Sequence, residues 1–271
     1  VSKIADKIDS AFSDDEKLMD LYELFIKRDT SSYDANLQSL VDELAGALIA
    51  DEAGRLTIEQ DNIALLNRIE DTIQSYLASD ETDKLRQQLI NTLDERLDTI
   101  NQFVIDAGLA NLVIDQPKRI NRIINAIDVV SVKMSEGVDW SQEEIRQLFL
   151  QVRGDIDTGT RISLSDFKLK LQMKGRVLPN YAKVVANTQL AAVDRIARKE
   201  QAKEGVINTM KYYGVLDGLT RPFCKRMVGQ IKSIEEWEST YNDTGPQPAI
   251  DYCGGWNCRH RLIPYKPEWD N

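Results

Sequence analysis

Hydrophobic positions recur with a helical period through about the first 156 residues. Leu37, Leu40, Val41, Leu44 and Leu48 form one stripe; Leu85, Leu89, Leu93, Leu97, Ile100 and Val104 form a second; Ile120, Ile123, Ile124 and Ile127 form a third. Spacings of three and four place each set along one side of an α-helix, where burial against neighbouring helices is the ordinary outcome. The heptad is not sustained, so a multi-helix bundle is expected rather than a coiled coil. Start signals recur at Ser13-Asp14-Asp15-Glu16, Thr57-Ile58-Glu59-Gln60 and Ser141-Gln142-Glu143-Glu144. In each, a hydroxyl and a carboxylate or amide three residues on can satisfy free N–H groups of a first turn. Asp115-Gln116-Pro117 is a different start, an acidic cap before a proline near the first helical position.

The period changes after Thr160. Phe167-Lys168-Leu169-Lys170-Leu171-Gln172-Met173 alternates strictly, which predicts a half-buried strand with Lys174-Gly175-Arg176 as its turn. A short helix stays open, because Lys and Leu are good helix formers. A long helix is predicted from Asn180 to Thr209. From Tyr212 onward glycine, proline and aromatic residues concentrate, as in a compact, loop-rich module. The expected fold is therefore mainly α: an acidic N-terminal multi-helix bundle over residues 1–160, then a small α+β module over 161–271.

Charge sharpens that division. The formal net charge is −10, yet residues 201–271 hold nine basic and nine acidic side chains, leaving 25 basic against 35 acidic in residues 1–200. An acidic helical surface is a poor match for a nucleic-acid backbone, which demands clustered Lys and Arg. No run of about 18 uncharged apolar residues predicts a membrane span. Val1-Ser2-Lys3-Ile4-Ala5-Asp6-Lys7 does not build a signal-peptide core. A reducing compartment is expected, where thiols more often bind metal than pair.

All three cysteines and the only histidine fall within the last 48 residues: Cys224, Cys253, Cys258 and His260. Three thiols and one imidazole make up a tetrahedral zinc shell. Gly254 and Gly255 offer the backbone freedom for a tight loop that would return Cys253 to the centre of such a site. Ser233-Ile234-Glu235-Glu236-Trp237 reads as a short capped helix whose tryptophan would cover it. The spacing is not a pair of Cys-x-x-Cys knuckles. Three readings therefore stand: a structural zinc site, a disulfide leaving one free thiol, and unligated buried cysteines beside an exposed histidine. Catalysis is disfavoured. Four donors would close the metal shell, no second histidine exists for a triad, and neither a deaminase signature nor a phosphate-binding loop is present.

One stretch carries a family likeness. Tyr213-Gly214-Val215-Leu216-Asp217-Gly218-Leu219-Thr220-Arg221-Pro222-Phe223-Cys224, then Gly229, then Cys253-Gly254-Gly255-Trp256-Asn257-Cys258-Arg259-His260 resembles the C-terminal domain of tailed-phage minor head proteins of the Mu F-like head morphogenesis family. That family's pattern is an Asp-x-x-Thr-x-x-x-Cys/His element, a glycine a few residues on, and a closing cluster around Asn-Cys-Arg-Cys/His. Ala186-Asn187-Thr188-Gln189 and Lys203-Glu204-Gly205 on the preceding helix are similar too, so the resemblance covers about residues 180–264, a third of the chain. The commoner family form reads His-Pro-Asn-Cys-Arg-Cys; here cysteine and histidine are exchanged and the first loop is longer.

The resemblance implies that Cys224, Cys253, Cys258 and His260 are the family's Cys/His positions, and that Asp217, Thr220 and Arg221 are its polar cluster. Locally, Asp217-Gly218 reads as a turn, with Arg221 available to pair with Asp217. It further implies a structural virion component: a minor head protein made in the host cytoplasm, placed in the capsid interior or near the portal, present in several copies, and involved in genome ejection. Portal and other capsid proteins are the expected partners, with viral DNA a further one. Lys225, Arg226, Lys232, Arg259 and Arg261, with Arg221, could offer phosphate or partner contacts. Two alternatives come from other classes: a nucleic-acid-binding zinc module, and a phage-encoded enzyme or toxin.

Overall fold

The computed structural model describes residues 2–57, 60–106, 116–158, 162–204 and 207–266, with most side chains described from Glu23 onward. The order is α1 (Ser2–Gly46), α2 (Gln60–Leu77), α3 (Asp80–Asp106), α4 (Gln116–Asp157), α5 (Leu164–Gly175) and α6 (Val177–Glu204). Short elements follow: β1 (Thr209–Tyr213), α7 (Pro222–Met227), β2 (Ile231–Ser233), α8 (Ile234–Glu238), α9 (Ala249–Tyr252) and β3 (Arg261–Pro264). The fold is mainly helical, with a small antiparallel sheet towards the C-terminus. Two compact units make it up. One combines the chain up to Ile26, Ile90–Val130 and the chain from Val184 on; the other combines Lys27–Leu89 and Ser131–Lys183. Among the described residues no helix is long and apolar enough to cross a membrane.

The apolar stripes behave as their period dictates. Leu37, Val41 and Leu48 are buried with Leu40 and Leu44 half-buried beside them, and Leu85, Leu89 and Leu93 are buried on α3. Each fully buried leucine of this kind is worth about 1.5–3 kcal/mol. The side chains of Leu97, Ile100, Val104 and the whole third stripe lie outside the described residues.

Two expected helix starts prove to be interior positions. Ser13 lies within α1, and Ser141 lies buried within α4. A serine followed three residues later by an acid caps a helix only where the backbone before it leaves helical geometry, and here it does not. At the third, Thr57 precedes residues outside the described set, and α2 begins at Gln60. The Thr57 hydroxyl accepts instead from the Asn62 side chain at 2.8 Å, and Asn62 also bonds both backbone groups of Ile49. Asp115 likewise lies outside the described residues, while Pro117 sits in the first turn of α4.

The predicted strand over Phe167–Met173 is a helix, α5. Alternation would have put Phe167, Leu169, Leu171 and Met173 on one face. The structure instead buries Phe167, Leu171 and Gly175, spaced by four, and leaves Leu169 56% and Met173 64% exposed. Ser163 caps the helix by accepting from Asp166 N at 3.0 Å, a signal sufficient to start it. Phe167 packs edge-on against Phe149 of α4, and the bare Gly175 lets Leu37 of α1 approach. Tertiary packing therefore decided between two local readings. The next helix also differs from expectation at both ends: α6 starts before Pro179, which falls in its first turn where no N–H partner is lost, and Thr209 belongs to β1.

In the C-terminal part, β1 is central, pairing antiparallel with β2 through Met210↔Lys232 and with β3 through Tyr212↔Leu262. Its buried residues Met210 and Tyr212 join Phe223, Ile234, Trp237, Ala249, Ile250 and Leu262 in one apolar cluster. Ser233 forms the reciprocal capping box with Glu236 that opens α8, as the sequence indicated. That box aims Trp237 inward, where its indole N–H donates to Met210 O at 2.9 Å.

Candidate metal centre

The donors arrive on two different supports. Cys224 stands in α7, whose first residue is Pro222 and whose start needs no side-chain cap. Cys258 and His260 sit on the extended segment that leads into β3. Their ligand atoms and that of Cys224 all lie within 4.8 Å of one another, and all three residues are buried. Cys224 Sγ is 3.7 Å from Cys258 Sγ, and Cys258 Sγ is 3.7 Å from His260 Nδ1. Two thiolates at ordinary zinc–sulfur bond lengths on a tetrahedron would stand about 3.8 Å apart. The cluster can therefore hold a metal ion. His260 Nε2 is also buried with no hydrogen-bond partner among the described residues, an arrangement that hydrogen bonding within the fold does not explain.

Cys253, expected as the fourth donor, is buried but does not belong to that set. It ends α9 with φ 48° and ψ −120°, a backbone conformation that costs a non-glycine residue on the order of 1–3 kcal/mol. The Tyr212 hydroxyl donates to Cys224 Sγ at 3.3 Å. Gly254 lies against the cluster. Its N–H donates to Cys258 Sγ at 3.2 Å, and a Cβ on it would collide with Cys224 Sγ. Gly214 plays the same part for the imidazole, whose ring any side chain there would strike. The His260 ring lies 5.6 Å from that of Tyr212, and Tyr212 lies 5.7 Å from Trp237, so the tryptophan covers the site through the tyrosine.

Proton affinities within the cluster diverge. The Cys258 thiol is held down to about 3, first by its hydrogen bond from Cys224, then by His260 and by the Arg195 guanidinium. Cys224 is pushed up because it keeps the shared proton against Cys258 and because it is buried. Burial pushes Cys253 up to about 12. A thiolate is thus already favoured at Cys258, and a cation there would displace the proton from Cys224.

A buried arginine on α6 organises the carbonyls behind the donors. Arg195 donates to Cys258 O and His260 O, both at 2.7 Å from Nη2, to His260 O again from Nε at 3.2 Å, and to Asp251 O at 3.2 Å. Beside it, Asp194 is bridged by Arg96 and Arg198, whose charges hold its carboxyl below the usual range against the cost of burial. Thr188, about two turns earlier on the same helix, accepts from Asn257 N at 2.8 Å. Sequence reasoning missed Arg195 entirely; its one sequence cue is an arginine in a segment otherwise patterned for burial.

The polar cluster locks the other side. Asp217 Oδ1 accepts from Leu219 N and from the Thr220 hydroxyl, each at 2.9 Å, which closes the turn expected there. Its partner in charge is Arg259, at 2.7 Å, and not Arg221. Arg221 instead donates to Gly254 O at 3.1 Å and Trp256 O at 2.6 Å, because α7 points it across the cysteine loop. Of the remaining basic residues, Arg226 pairs with Asp243 and Lys232 lies over the Trp237 ring, while Lys225 is exposed and Arg261 is half-buried on β3. No protein-family model, curated protein or solved structure matches the chain.

Proposed function

We propose that this chain is a structural minor head protein of a tailed phage, and that zinc held by Cys224, Cys258 and His260 staples its C-terminal module into a rigid docking unit. One observation carries the reading. The polar residues of the family-like motif converge on one knot: Arg259 ties to Asp217, Arg221 ties to the cysteine loop, and Thr220 braces the turn between them. A motif spent on assembling a fold suits a component that works by surface complementarity with portal and capsid partners. Val215, Leu216 and Leu219, exposed on the loop before α7, suit such a protein contact. Two measurements test the reading. Elemental analysis of the full chain purified without chelator is expected to give about one equivalent of zinc, lost in Cys258→Ser. In fractionated lysates of phage-producing cells, the chain is expected to sediment with procapsids and capsids. A folded, metal-free protein removes the staple, and a chain that never sediments with particles removes the virion role.

A further inference from the structure

The donor cluster has an open side. A cleft of about 320 Å³ is lined by Cys224, Cys258 and His260 together, with Thr220, Arg221, Asn257 and Arg259 around its mouth, and Cys253 takes no part in it. The Gly254 backbone packs against both ligand sulfurs and its N–H is spent on Cys258. The Cys253 sulfur stays outside the 4.8 Å set.

We infer that the metal site has three protein donors, and that its fourth ligand is a water or small anion entering through this cleft, with Cys253 retained as an uncoordinated thiol. The inference rests on the metal reading above. Charge supports it. Two thiolates and a neutral imidazole balance a divalent cation, so an added anion leaves one negative charge, beside which stands the Arg221 guanidinium, Arg259 being paired with Asp217. A third thiolate would already supply that negative charge and remove the attraction. Three protein ligands with an exchangeable fourth position are the arrangement of zinc enzymes, so this staple departs from the closed four-ligand shell of ordinary structural zinc.

Cobalt(II) titration of the full chain, stripped of metal, decides the matter, since thiolate-to-cobalt absorption scales with the number of bound thiolates. Wild type is expected to take one equivalent, and saturating azide to shift its visible bands. Cys253→Ser is expected to keep the stoichiometry and thiolate intensity of wild type. Cys224→Ser and Cys258→Ser are expected to weaken cobalt binding by at least about 100-fold, since even loss of a residue behind a ligand costs roughly 10- to 100-fold. A spectrum indifferent to azide overturns the inference and means a closed shell. So does the loss of a third of the thiolate intensity in Cys253→Ser. The azide arm uses the unaltered chain, so it decides even if Cys253→Ser fails to fold. Failure of wild type to bind cobalt at all is a different result, which removes the metal reading and this inference with it.

Discussion

Arg195 is the residue on which the donor segment should depend most, and replacing it with Met tests why. The guanidinium satisfies three backbone carbonyls, those of Asp251, Cys258 and His260, through four hydrogen bonds of 2.7–3.2 Å. Arg195 is only 2% exposed, so truncation leaves these carbonyls in a largely buried setting without their donor. Each carbonyl left unsatisfied costs about 1–3 kcal/mol. Against this, Met avoids the desolvation cost of a buried cation, which offsets part of the loss. Three carbonyls at that cost, less this offset, give a net destabilisation of roughly 3–5 kcal/mol. Native-state hydrogen exchange is the suitable assay, because it reads opening of residues 207–264 separately from the rest of the chain. At 1.4 kcal/mol per decade, slow amides in β1 and β3 should exchange about 100- to 3,000-fold faster in Arg195→Met, with chelator present so that metal contributes nothing. Arg195→Lys keeps the charge but replaces a planar fork by a point donor, and most of the loss should persist. Acceleration of less than about tenfold in the Met variant would refute the argument. Recovery of wild-type protection by Lys would show that charge matters and the fork does not.

Two further outcomes follow from the fold and the polar cluster. Asp217 is held down to about 2, chiefly by its hydrogen bonds from Arg259 and Thr220. A carboxyl depressed on folding contributes stability above its unfolded value near 3.8 and loses that contribution as pH falls towards 2. The gap in melting temperature between wild type and Asp217→Asn should therefore narrow from pH 4 to pH 2; a constant gap would contradict it. For α5, Leu171→Ala should cost about 2–5 kcal/mol in urea unfolding while Leu169→Ala stays within about 0.5 kcal/mol. Equal losses would restore the two residues to one face, as in a strand.

What the sequence made legible was whatever depends on neighbours within a few residues. The stripe Leu37 and Val41 needs only the helical period, and the capping box at Ser233 needs only two side chains three positions apart. Where those rules went wrong, the deciding partner lay far along the chain. Ser141 looked like a helix start until α4 proved continuous, and Leu169 looked buried until Phe149 and Leu37 took up Phe167 and Gly175. The candidate centre divides the same way. Cys224, Cys258 and His260 were legible because soft donors are scarce in this chain and any site must use them. Arg195 was not, because an arginine 56–65 residues from the carbonyls it serves looks like any other on a helix. Cys253 is the instructive case. Its residue type argued for a ligand, while in the fold its sulfur stays outside the set formed by Cys224, Cys258 and His260. The glycine after it, read at first as freedom for a loop, serves a different need: Gly254 can press against Cys224 and Cys258 only because it has no Cβ.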